Sequence, residues 1–112
     1  MQDLKTRYDA MMKEIDTYLA LISNLKPTFS YTGTGIHRGK RIIIECVQNT
    51  ENKDLITALK EAVGKIDKKA KQSLMIPRGN AKTSTKIIAM LVFGGMMYVE
   101  DKLKELIREE EK

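Results

Sequence analysis

Between Leu4 and Leu25 apolar residues recur at Leu4, Tyr8, Met11, Ile15, Tyr18, Ile22 and Leu25, in alternating steps of four and three. That spacing draws an apolar seam down one face of a helix. Asp3 lies in its first turn, where a carboxylate suits the helix dipole. Pro27 ends it, because the residue before a proline avoids helical geometry. The pattern then changes. Residues 29–36 and 40–47, the latter carrying Ile42, Ile43 and Ile44, read as two strands of a β-hairpin. His37, Arg38 and Gly39 form the loop, with Gly39 supplying a positive φ. In that register Thr34 faces Ile42, Thr32 faces Ile44 and Ser30 faces Cys46, while Gly33 and Gly35 permit close backbone approach within a strand. The second strand is apolar on both faces, so each face needs cover.

Helical spacing returns at about residues 51–73, after Asn49 or Thr50 as a cap. Leu55, Leu59, Ala62 and Ile66 line one side, flanked by Ile56 and Val63. Lys53, Lys60, Lys68 and Lys71 fall opposite, and Gly64 weakens the helix modestly. Pro77 and Gly79 punctuate a break. Thr83 or Ser84 then caps a long element over residues 85–110, striped by Ile88, Val92, Met96, Val99, Leu103 and Leu106. Within it, Gly94-Gly95 marks either close helix–helix packing, the favoured alternative, or a local bend. The expected class is α+β in one domain: helix 1–27, hairpin 28–48, basic amphipathic helix 50–74, and C-terminal helix 83–112 with an acidic tail.

Helix length bears on assembly. The first and last elements would each span about 35–40 Å, against roughly 33 Å for a round domain of this size. Both would overhang, and a homodimer or higher oligomer covers the exposed seams most simply. The expected interface is Leu4, Tyr8, Met11, Ile15, Tyr18, Ile22 and Leu25 with Val92, Met96 and Val99.

The net charge of +5 is unevenly spread: residues 1–27 sum to zero, 28–99 carry twelve cations against five anions, and 100–112 carry four against six. A basic middle favours polyanionic partners. The single cysteine, Cys46, fits a reducing compartment. The first residues lack the apolar core of a signal peptide, and the apolar run 87–99 falls short of the ~20 residues that span a bilayer. A cytoplasmic protein with no membrane partner is expected.

The chemistry-bearing inventory is thin. His37 and Cys46 are the only histidine and cysteine, and on a hairpin they would lie some 20 Å apart. One of each does not make a usual metal set, so neither catalysis, a metal nor a cofactor is expected. GTGIHRG at 33–39 falls one residue from the dinucleotide fingerprint but precedes a strand. GNAKTS at 79–84 echoes a P-loop without its second glycine. Three cationic groups remain as nucleic-acid or phosphate contacts: Arg38, Lys40 and Arg41 at the hairpin; Lys60, Lys68 and Lys71 on the third element; and Arg78, Lys82 and Lys86 around a helix N-terminus. Tyr31 offers a ring for base stacking.

The order helix (3–25), hairpin (29–47), helix (51–73) loosely resembles small bacterial nucleoid-associated proteins, which bind DNA as dimers. The order hairpin, helix, long C-terminal helix loosely resembles cell-division ring stabilisers, which bind a filament protein. The leading expectation is a non-catalytic, oligomeric binder of a polyanion, with DNA first. The alternatives are a helix-mediated protein-interaction adaptor and a binder of a phosphorylated small ligand at a subunit interface.

Overall fold

A computed structural model describes residues 3–25, 29–50, 54–75 and 82–112. They form four α-helices: α1 (Leu4–Ser23), α2 (Phe29–Gln48), α3 (Leu55–Met75) and α4 (Thr83–Glu110). The expected α+β class is overturned. Residues 29–48, read as a hairpin, are one continuous helix, and no strand occurs among the described residues. The resemblances to nucleoid-associated proteins and ring stabilisers both required the hairpin and lapse with it.

The reason lies in which period the buried residues follow. Ile36, Gly39, Ile43 and Cys46 are all buried, at steps of three and four, with buried Gly35 beside the first. Ile42 is half-buried and Ile44 exposed, so the isoleucine triplet occupies three directions around a helix and needs no cover on two sheet faces. The β-preference of isoleucine and threonine, a weak local bias, yields to burial.

The glycines supply what the helix packs against. A Cβ on Gly35 would run into the carbonyl oxygen of Val92, and one on Gly95 into that of Thr32; one on Gly39 would press on the Val99 side chain. The backbones of α2 and α4 therefore meet directly, through small residues four apart on α2. Of the Gly94-Gly95 pair only Gly95 faces this crossing, and Gly94 meets open space.

Side-chain pairs fix the directions. Arg7 bonds Glu110, Lys102 pairs with Glu14, and Tyr18 stacks on Tyr98 with ring centroids 4.3 Å apart, so α1 and α4 run antiparallel. Lys60 bonds Glu111 and Ser73 lies beside Met96, so α3 is also antiparallel to α4. Gly35 meets Val92 and Gly39 meets Val99, so α2 and α4 are parallel. The result is an up-down-up-down bundle flattened along one diagonal: α2 and α4 touch most extensively, and α1 and α3 scarcely meet. Its core joins Ile15 of α1, Ile36 and Ile43 of α2, Leu59 and Ile66 of α3, and Met96, Val99 and Leu103 of α4, all fully buried.

The bundle measures 49 × 29 × 24 Å. Its long axis accommodates α1, at about 30 Å, without overhang. Tyr8, Met11, Ile15 and Ile22 of the seam, with Val92, Met96 and Val99, are buried within the chain; Leu4 is half-buried, and Tyr18 and Leu25 are exposed. Only α4 projects, since Thr83 to Ile87 are exposed at every position. No helix among the described residues is long and apolar enough to cross a membrane.

Helix ends differ in detail from expectation. Asp3 is the N-cap of α1 and accepts from Thr6 N at 2.8 Å. α3 begins at Leu55, behind Asp54, whose carboxylate accepts from both Thr57 Oγ1 and Thr57 N; Asn49 and Thr50 close the preceding turn instead. Lys82, not Thr83 or Ser84, is the N-cap of α4, with no side-chain capping bond. The expected stops at Pro27, Pro77 and Gly79, together with Lys53, lie outside the described residues.

The crossing and the caps can each be tested. Gly35→Ala and Gly95→Ala are each expected to lower unfolding free energy by about 2–3 kcal/mol in urea titrations. Gly94→Ala and Gly64→Ala, with open space around them, are expected to raise it by about 0.5–1 kcal/mol. Bonds from Thr57 hold the Asp54 carboxyl below its ordinary value, and bonds from Thr6 do the same for Asp3. A depressed folded pKa lends stability above the unfolded value and loses it as pH falls through the folded one. Asp54→Ala should therefore lower the melting temperature at neutral pH, with a deficit that shrinks steadily below about pH 4.

Candidate functional site

Because α4 lies behind α2 and α1 and α3 lie on either side, only a strip of α2 remains at the surface. Tyr31, Thr34, His37, Arg38, Arg41, Ile44 and Gln48 lie along it, all exposed, with Glu45 the only acid of the helix. Where the strip borders α3, a cleft of about 320 Å³ opens. Arg38, Arg41, Ile42 and Glu45 of α2 line one wall, Lys69 and Ser73 of α3 the other, and Met96 of α4 completes it. Ser73 Oγ donates to the Lys69 carbonyl at 3.1 Å and lies 3.9 Å from Met96 Sδ. Arg41 also borders a shallower depression with His37, Lys40, Ile44, Glu45 and Gln48. It thus stands on the ridge between two concavities.

A larger groove, about 690 Å³, runs between α1 and α4 and is lined by Arg7, Lys13, Glu14, Lys102, Glu105 and Glu109 among others. Its charges largely satisfy one another: Arg7 pairs with Glu109 and Glu110, and Lys102 with Glu14. The smaller cleft differs in this respect. Neither Arg38, Arg41 nor Lys69 makes an ion pair among the described residues.

The expected cationic residues are thus partly gathered and partly dispersed. Arg38 and Arg41 come together in the cleft. Lys40 turns away from it, half-buried, and ion-pairs with Asp16 of α1. Lys60 sits at the opposite end of the bundle, paired with Glu111. Lys71 pairs with Asp67, which together with that hydrogen bond raises its pKa. Lys68, Lys82 and Lys86 are exposed, the last two on the projecting turns of α4. Arg78 lies outside the described residues. The sequence reading missed Lys69, since only the true course of α2 reveals which stripe of α3 faces it.

A broader feature emerges from the register of the four helices. Residues 17–44 and 68–99 contain ten Lys and Arg and no Asp or Glu, whereas the remainder contains the other ten cations and all fifteen acids. In the up-down-up-down arrangement both acid-free segments occupy the same end. Contacts at Tyr18–Tyr98, Gly39–Val99 and Ser73–Met96 bring their limits to nearly one level. The charges of this small bundle are therefore divided across its long axis.

Near that level lies a second residue the sequence reading passed over. Glu100 is 1% exposed; Lys104 pairs with one of its oxygens at 2.9 Å, and Oε2 has no hydrogen-bond partner among the described residues. Its position, four after Met96 and three before Leu103, lies on the apolar stripe of α4, and that is the signal that could have found it. It lines none of the clefts above. His37 and Cys46 also stand apart. Nine residues of helix put them on opposite sides and about 14 Å apart along the axis, with His37 exposed and Cys46 buried.

No known family, curated protein or solved structure matches the chain.

Glu100 yields a prediction of its own. A buried carboxylate with one oxygen unsatisfied costs free energy that an apolar side chain of similar length avoids. Glu100→Met is expected to leave stability unchanged or raise it by about 1–3 kcal/mol in chemical denaturation. A clear loss of stability would mean that the carboxylate holds a bond essential to the core.

Proposed function

We propose that the protein is a non-catalytic polyanion-binding protein of the cytoplasm, with nucleic acid as its ligand. The observation that carries the proposal is the convergence of Arg38, Arg41 and Lys69 on one cleft, none of them in an ion pair among the described residues and with Glu45 the only acid in its lining. Cations already held by carboxylates must break those bonds before they can serve a ligand. Guanidinium groups standing free can take a phosphate in a bidentate grip.

The shape of the surface indicates how a nucleic acid would lie. The major groove admits a protruding helix about 10–12 Å across. With α1 and α3 packed on either side, α2 offers a nucleic acid its exposed strip and not a free-standing helix. Contacts would instead follow the phosphate backbone along the strip, giving affinity with little sequence preference. Tyr31 lies seven residues before Arg38 on the same strip, where its exposed ring can stack on an unpaired base.

Fluorescence anisotropy with labelled single- and double-stranded DNA, at about 50 and 200 mM salt, tests this directly. Binding is expected to weaken steeply with salt. The Arg38→Ala/Arg41→Ala pair should weaken it across all sequences and reduce the log–log salt slope by roughly two. Absence of binding at low salt overturns the nucleic-acid assignment. Loss of binding to competing inorganic phosphate at low concentration would reassign the cleft to a small phosphorylated ligand.

A further inference from the structure

We infer that the projecting end of the bundle docks on an anionic lipid surface, at a site separate from the α2–α3 cleft. Exposed aliphatic residues concentrate here. Leu21 lies in the last turn of α1 and Leu25 just beyond it, Leu74 and Met75 end α3, and Ile87 and Met90 stand on the first turns of α4. Five of the six are more than half exposed. Helix directions put these three helix ends together, on the side where α4 overhangs its neighbours. Isolated exposed leucines mean little, but a concentration at one end calls for a partner surface.

Charge selects among the possible partners. This end belongs to the acid-free half and carries Lys82 and Lys86 on the overhang itself, both exposed and without an ion pair among the described residues. A nucleic acid offers phosphates but little to bury six aliphatic side chains. The acidic end of a second copy offers carboxylates, yet among the described residues the only large exposed hydrophobic near the helix ends there is Ile44, 39% exposed. Two such ends facing each other would bury the aliphatics but bring like charges together. An anionic bilayer supplies both requirements at once, an acyl boundary for the aliphatics and headgroup charge for the lysines. Docking would be peripheral, since no helix among the described residues is long and apolar enough to cross. The expectation of no membrane partner, drawn from the lack of a spanning segment, does not bear on this mode.

Flotation of the full chain with large unilamellar vesicles tests the inference, using phosphatidylcholine alone or with about 30% phosphatidylserine. The chain should float with the anionic vesicles and not with the neutral ones, less so as salt rises. The Ile87→Ser/Met90→Ser pair should cut vesicle affinity roughly tenfold. Both residues are exposed, so circular dichroism should be unchanged; if helicity falls, the Leu21→Ser/Leu25→Ser pair makes the same test. Arg38→Ala/Arg41→Ala should disturb flotation less than either apolar pair, so that failure of nucleic-acid binding and failure of lipid docking are read separately. Three results would overturn the inference: no flotation at low salt, flotation indifferent to both apolar pairs, or a lipid-free dimer that Ile87→Ser dissolves. The last would assign this end to a second copy of the chain.

Discussion

The arrangement depends on one contact, the crossing of α2 and α4 where Gly35 and Gly95 let two backbones touch. In most antiparallel four-helix bundles the parallel helices stand diagonally opposite with side chains between them. Here the absence of two Cβ atoms collapses that diagonal, and Ile36, Met96 and Val99 pack around the point of contact. α1 and α3 are pushed out to the flanks, where each covers one side of α2. The exposed strip that carries Arg38 and Arg41 follows from this geometry, as does the cleft beside Lys69.

How much of this was legible depends on the kind of signal. α1 could be read almost to the residue, because seven apolar positions repeat without interruption and an aspartate and a proline bracket them. α4 was equally clear, and so was the apolar face of α3. α2 was misread because three glycines and a run of β-branched residues oppose helix locally, and single-residue preferences count them against it. Their compensation lies more than fifty residues away, in Gly95 and Val99, which no local window includes. The site fared likewise. Arg38 and Arg41 were singled out for their charge, but Lys69 joins them only through the packing of α2 on α3. Lys40 and Lys60 were taken for ligand contacts because sequence does not show Asp16 or Glu111 beside them.

The ion pairs repay attention for where they fall. Arg7 with Glu109 and Glu110, Lys60 with Glu111, and Lys102 with Glu14 each join two helices, and all lie in the acid-bearing part of the molecule. Exposed pairs of this kind contribute little individually to stability, but they occupy cations that would otherwise face solvent. Among the described residues of the other part, only Lys40 and Lys71 reach an acid, each at the boundary. One end of the bundle thus holds many of its cations in internal pairs, and the other presents most of its cations to solvent.

That division has a kinetic consequence. With eight cations and no acid toward one end and an excess of five negative charges toward the other, counted among the described residues, the chain carries a large electric dipole along its 49 Å axis. A field from any extended anion exerts a torque on such a body before contact, over distances near the Debye length of about 10 Å. Encounters are thereby biased toward one heading, cationic end foremost, and the rotational search that limits most associations is shortened.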